Sequence, residues 1–171
     1  STFRTEKAKE LVHTGIMPAD GQVVGVGMPI VVTFDAPVPR RSVAERRLTV
    51  RTTPAVAGGW YWVSDQQVRW RPREYWRPGT TVRVTSQLSG VHLGAGTWGD
   101  DDDRVDFVVG DAMVSTVDIA AHTMTVRRNG EVVRKVPITT GKPGWDTRNG
   151  IKVIISKDRE VVMDAATIDV D

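Results

Sequence analysis

Short β-prone runs, each closed off by Gly, Pro, Asn or Asp, constrain this chain more than any other feature. They lie at Val23–Val26, Pro29–Phe34, Leu48–Thr53, Trp60–Val63, Val68–Arg71, Thr81–Ser86 and Val105–Val109. Their spacing, with turn signals between them, is that of an antiparallel sandwich. The strand period of two sends Val68 and Trp70 to one face and Arg69 and Arg71 to the other. One short helix is expected in the stretch RRSVAERRL. There Ser42 would cap the amide of Glu45 while Glu45 reaches back, a capping box. Residues 14–110 therefore read as an immunoglobulin-like β-sandwich, preceded by a linker or tail over residues 1–13.

Beyond VVGDAMVS, a linker, a second β-rich unit is expected over residues 111–171. In MTVRRNGEVVRKVPI, Asn129-Gly130 favours the two-residue type I′ turn of a hairpin. The stretch TTGKPGWDTRNGIKVI then reads as a long hairpin loop into a strand at Ile151–Ser156. A turn at Lys157-Asp158 leads to another strand at Glu160–Met163. So small a sheet, with one face uncovered, is marginal alone. The fold expected is thus all-β, a complete sandwich followed by the N-terminal, incomplete part of a second domain. The start at Ser1 reads as an artificial or maturation boundary.

Several chemistries are disfavoured. The 171 residues carry a formal charge of only +2 with the basic residues spread, unlike the stripe a nucleic-acid binder needs to neutralise phosphates. There is no cysteine, so disulfides, thiolate ligands and a thiolate nucleophile are excluded from these residues. No apolar run approaches the roughly 20 residues that cross a bilayer. Gly141-Lys142 suggests a phosphate cradle, yet Pro143 follows where Ser or Thr is required, and no helix start is at hand for an anion. His13, His92 and His122 lie far apart and read as surface or turn histidines. Asp100, Asp101, Asp102 and Asp103 read as a solvated acidic turn, with a hard-cation site the alternative.

The aromatic residues leave more open. Trp60, Tyr61, Trp62, Trp70, Tyr75, Trp76 and Trp98 fall in the first unit. Core or interdomain packing is expected of them, with stacking on sugar rings the alternative. Trp145, at the tip of the long loop, is expected to be exposed and to meet a partner, a ligand or a neighbouring domain.

IMPADGQVVGVGMPIVVTFDAPVP, AERRLTVRTTPAVAGGWYW and VRWRPREYWRPGTTVRV resemble the immunoglobulin-like domain of bacterial L,D-transpeptidases. MTVRRNGEVVRKVPITTGKPGWDTRNGIKVI and EVVMDAAT are similar to the first strands of that family's catalytic, YkuD-type domain. The resemblance implies a cofactor-free, exported enzyme of the bacterial envelope that forms 3–3 cross-links in peptidoglycan, with a membrane tether outside these residues. A cysteine thiolate would attack a stem tetrapeptide at diaminopimelate and release D-Ala. The side-chain amine of a second stem would resolve the acyl-enzyme, and carbapenems would acylate the same cysteine. The family's Ser-His-Gly-Cys motif falls after Asp171, and neither His92 nor His122 matches its catalytic histidine. His92 and Ala95 also stand where some relatives carry acidic residues able to hold calcium. No catalytic residue and no metal ligand is assigned within these residues, and substrate-binding residues stay unassigned. Two rivals remain. One is a non-catalytic envelope or wall-binding module contacting its partner through Trp76 and Trp145. The other, ranked far behind, is a glycosidase using Glu160 and Asp164.

Overall fold

A computed structural model describes residues 7–142, 144–154 and 159–160. Among them the elements are, in chain order, β1 (Glu10–Val12), β2 (Thr14–Met17), β3 (Val23–Val24), β4 (Ile30–Phe34) and the short helix α1 (Arg41–Glu45). There follow β5 (Leu48–Thr53), β6 (Gly58–Trp62), β7 (Gln67–Pro72), β8 (Thr81–Gln87), β9 (His92–Gly94), β10 (Thr97–Gly99) and β11 (Asp102–Val109). The last three are β12 (Met113–Asp118), β13 (Thr123–Arg128) and β14 (Glu131–Pro137).

Two four-stranded sheets, ordered β2-β4-β7-β6 and β3-β11-β8-β5, form the sandwich. Strand alternation fills the space between them. Ile30, Val32, Phe34, Val68 and Trp70 come from one sheet; Leu48, Val82, Val84, Val105, Phe107 and Val109 come from the other. The seven strands read from the sequence are all present, with ends shifted by a few residues at most. A third sheet, β1-β10-β9, was not readable in advance. Within the segment expected as a tail, β1 runs parallel to β10 and buries Val12.

The helix starts differently from the capping-box expectation. Arg40 is its N-cap, without a side-chain cap, and Ser42 lies inside the helix. The sheet anchors the first turn instead: the Arg40 amide donates to the Leu93 carbonyl, and the Arg40 carbonyl accepts from Val43 and Ala44. Glu45 is thereby free to accept the Trp62 indole N–H at 3.3 Å.

Of the expected linker VVGDAMVS, Val108 and Val109 end β11, and Met113, Val114 and Ser115 open β12, where they pair with β13. The fourth sheet, β12-β13-β14, thus follows a linker of only three residues, 110–112. Its hairpin turns at Asn129 (φ 50°) and Gly130 (φ 92°), the two left-handed residues a type I′ turn requires. Asp111 ties this turn to the linker. Its carboxylate accepts from Asn129 Nδ2 at 2.8 Å and Arg128 Nε at 2.6 Å, while the Ala112 amide donates to Asn129 Oδ1 at 2.9 Å. Asn129 first, then Arg128, holds the Asp111 carboxyl below its ordinary value of 3.8.

The stretch expected as a hairpin loop and strand departs from expectation. Ile151–Ile154 is not a strand, and Ile151 and Ile154 are 81% and 87% exposed. A strand needs a pairing neighbour, and among the described residues none lies beside this segment. Its Val153 sits over Gly27 so closely that a Cβ there would meet Val153 Cγ2 at 3.0 Å. Glu160 is exposed and outside any strand. The rest of the expected strand at Glu160–Met163, the Lys157-Asp158 turn and Asp164 lie outside the described residues.

Candidate functional site

The aromatic residues are mostly structural. Trp76 is 2% exposed although it lies in the loop between β7 and β8. Its indole stacks on Trp70 at 5.2 Å, meets Phe107 edge-on at 6.3 Å, and donates to the Met28 carbonyl at 2.7 Å. Burial removes it from the partner-contacting role considered for it with Trp145. Trp60 lies opposite Trp70 on the neighbouring strand, and Trp62 stacks on Phe34 at 5.6 Å beneath the Arg41 guanidinium. Only Tyr61 and Tyr75 show substantial ring surface in the first unit. Arg71 lies 6.0 Å over the Tyr61 ring. Trp145 is 58% exposed, as expected at the loop tip.

The histidines divide. His122 occupies a left-handed turn position (φ 48°) between β12 and β13 and is exposed. His13 is exposed and faces two members of the acidic run, Asp100 at 3.5 Å and Asp101 at 3.7 Å. His92 departs from the surface expectation. It is half-buried, stacks on Trp98 at 4.8 Å, and keeps Nε2 away from water without a hydrogen-bond partner among the described residues. The bulged pairing of β9 with β10, which sets His92 opposite Trp98, produces that stack.

The acidic run is not one turn either, since Asp102 and Asp103 open β11. The Asp102 carboxylate accepts from the Ser89 amide, and that of Asp103 accepts from the Arg104 amide. With Asp100 and Asp101 turned to His13, the four carboxylates do not converge. Around Gly141-Lys142 the loop folds on itself: the Gly141 amide donates to Thr147 Oγ1 at 2.8 Å and the Trp145 amide to the Lys142 carbonyl at 2.8 Å. No helix follows among the described residues, so nothing there forms a phosphate cradle.

Sequence reasoning missed the outer face of the β3-β11-β8-β5 sheet. Register places Arg51 opposite Arg83 and Arg83 opposite Asp106. Asp106 Oδ1 accepts from Arg83 Nε at 2.7 Å, and Oδ2 accepts from Arg104 Nε at 3.0 Å and from Arg104 Nη2 at 2.7 Å. A groove of about 550 Å³ runs past Arg51, Thr53, Thr81, Arg83 and Asp106. The arginines were visible singly, but only the pairing register brings them to one place.

Hydrogen bonds from Arg83, then Arg104, hold the Asp106 carboxyl below its ordinary value of 3.8. A carboxylate with a depressed folded-state pKa contributes stability that is complete above 3.8 and is lost as pH falls through the lower folded value. Carbon-detected NMR should therefore show Asp106 titrating below 3.8 in the wild type. Arg83→Gln should move that midpoint upward, and an unchanged midpoint would disprove the coupling.

The comparisons place this architecture. A family model described as a bacterial Ig domain matches residues 1–92. The chain is 40% identical over 166 residues to L,D-transpeptidase 2 of Mycobacterium tuberculosis, covering 97% of this chain and 41% of that protein. It is 42% identical over 153 residues to L,D-transpeptidase 1 of Mycobacterium tuberculosis, covering 90% and 55% respectively. The solved structure of the LD transpeptidase LdtMt1 in complex with imipenem superposes with a TM-score of 0.75 at 39% identity, covering 95% of this chain and 68% of that one. L,D-transpeptidase 3 from Mycobacterium tuberculosis, in complex with a faropenem-derived adduct, gives 0.67 at 32%, covering 92% and 68%. The sandwich is a bacterial Ig domain, and the chain belongs to the L,D-transpeptidase family. It spans 41–55% of the length of these two curated relatives.

Proposed function

We propose that this chain is part of an exported peptidoglycan L,D-transpeptidase that forms 3–3 cross-links between diaminopimelate stems at the outer side of the cytoplasmic membrane or in the wall. The observation that carries the reading is the match to L,D-transpeptidase 2 over 97% of the chain, through both the sandwich and the β12-β13-β14 sheet. On this reading residues 14–110 are the Ig-like domain and residues 111–171 the N-terminal part of the catalytic domain. The thiolate nucleophile, absent from these cysteine-free residues, lies elsewhere in the protein. It attacks the carbonyl that joins diaminopimelate to the terminal D-Ala and expels D-Ala as the amine. The side-chain amine of a second stem then attacks the thioester, forming the new amide and restoring the thiol.

Incubating the full-length protein with excess imipenem should add one carbapenem mass to the intact protein, and replacing its nucleophilic cysteine by Ala should abolish the adduct. A full-length protein that stays unmodified would overturn the proposal. The basic groove on the sandwich favours a second reading, in which this chain serves as a wall-binding module.

A further inference from the structure

The outer face of the β3-β11-β8-β5 sheet is charged in a way its own stability does not call for. Arg51 and Arg83 stand directly opposite each other on adjacent strands, an arrangement of like charges that destabilises a sheet. Asp106 engages Arg83 and Arg104 together, and among the described residues no ion pair is made by Arg51. Two guanidiniums therefore share one carboxylate, and the third, that of Arg51, is left without one among the described residues. Asp106 is itself held in place, since its amide donates to Asp20 Oδ1 at 2.8 Å. Asp106 holds Arg83 through its Nε, and among the described residues the two terminal nitrogens of Arg83 make no hydrogen bond. Arg51 is exposed and lines the same groove, as do Thr53 and Thr81, which stand opposite each other on β5 and β8.

We propose that this groove binds the paired carboxylates of a peptidoglycan stem peptide, with Arg51 and Arg83 each taking one carboxylate and Thr53 and Thr81 bonding the peptide between them. The ligand class follows from the geometry. Planar guanidinium forks match carboxylates two N–H bonds at a time. Directly opposed strand positions set the two forks about 5 Å apart at Cβ. Asp106 already shows the same pairing in the fold, with a carboxylate between two guanidiniums. A stem tetrapeptide ending in diaminopimelate and D-Ala offers a side-chain carboxylate beside a terminal one. The proposal rests on the transpeptidase reading for its choice of that peptide, and it gives the Ig-like domain a role in holding the wall near the catalytic unit.

Titration calorimetry with this chain tests it, using three probes at fixed ionic strength. These are the diaminopimelate-containing tetrapeptide, the same peptide with its carboxylates converted to amides, and inorganic phosphate as a competitor. The free-acid peptide should bind, and the amidated peptide should not. Arg51→Gln should weaken binding at least tenfold at an unchanged or higher melting temperature, Arg51→Lys should weaken it less, and Arg134→Gln on β14 should leave it as it was. Failure of the peptide to bind at millimolar concentration would overturn the proposal. So would equal binding of the amidated peptide, an Arg51→Gln effect no larger than that of Arg134→Gln, or displacement by equimolar phosphate, which would mark a site for phosphate-bearing polymers. Failure here together with carbapenem acylation of the full-length protein defeats the groove alone. Absence of acylation defeats the reading beneath it.

Discussion

Trp76→Ala is expected to lower the free energy of unfolding by about 3–5 kcal/mol, the range for truncating a large aromatic side chain in a core. Trp76 is 2% exposed and has three independent attachments: the stack on Trp70, the edge contact with Phe107, and the hydrogen bond to the Met28 carbonyl. Phe107 and Trp70 belong to opposite sheets, so the ring of Trp76 ties the two layers together. Removing it leaves a cavity that rigid strands on both sides cannot close. Trp76→Phe separates the contributions. It keeps most of the apolar area but leaves the buried Met28 carbonyl without its donor, a loss of about 1–3 kcal/mol. Urea unfolding followed by fluorescence would read both, with the slope unchanged if the unfolded state is not altered. A Trp76→Ala midpoint close to wild type would mean the indole is not the link between the sheets.

Burial of Trp76 agrees with the core packing expected of the first unit's aromatic residues, but nothing local singled it out from the exposed ones. Its neighbours are Arg73, Glu74, Tyr75, Arg77 and Pro78, the composition of an exposed loop, and no strand periodicity marks it as internal. By contrast the alternation in β7 was readable, because a strand's facing pattern is local: Val68 and Trp70 are buried, as the period of two requires. Leu48–Thr53 was readable for the same reason. Strands β1, β9 and β10 were not. Each has three residues, too few to display a period, and β1 exists only because a parallel partner arrives from far along the chain. The basic groove escaped notice for a related cause. Arg51, Arg83 and the Arg104–Asp106 pair lie on three strands far apart in sequence, and their juxtaposition depends on register, which spacing does not reveal. The helix cap failed for a third reason, since the Leu93 carbonyl reached the Arg40 amide and moved the helix start ahead of Ser42.

Gly99→Ala is expected to cost about 3 kcal/mol, the upper end of what overpacking a close contact costs. Gly99 sits in β10 with its amide donating to the Val91 carbonyl and its carbonyl accepting from the Gly90 amide, both at 3.0 Å. A Cβ added there would stand 2.8 Å from the carbonyl carbon and from the Cβ of Leu88. Leu88 is 1% exposed, and the obstacle is largely its backbone, so no side-chain rotation relieves the collision. Relief has to come from shifting β10 against the turn that precedes β9. That movement would disturb both the parallel pairing that holds β1 and the stack of His92 on Trp98. Gly59 supplies the control: nothing lies within 4 Å of the corresponding position, so Gly59→Ala should be neutral or stabilising by up to about 1 kcal/mol. If Gly99→Ala unfolds within about 0.5 kcal/mol of wild type, the range of an ordinary surface substitution, then β10 does not approach Leu88 as closely as described. If Gly99→Ala is destabilised while Gly59→Ala is not, the requirement for glycine at position 99 is one of space rather than of backbone freedom.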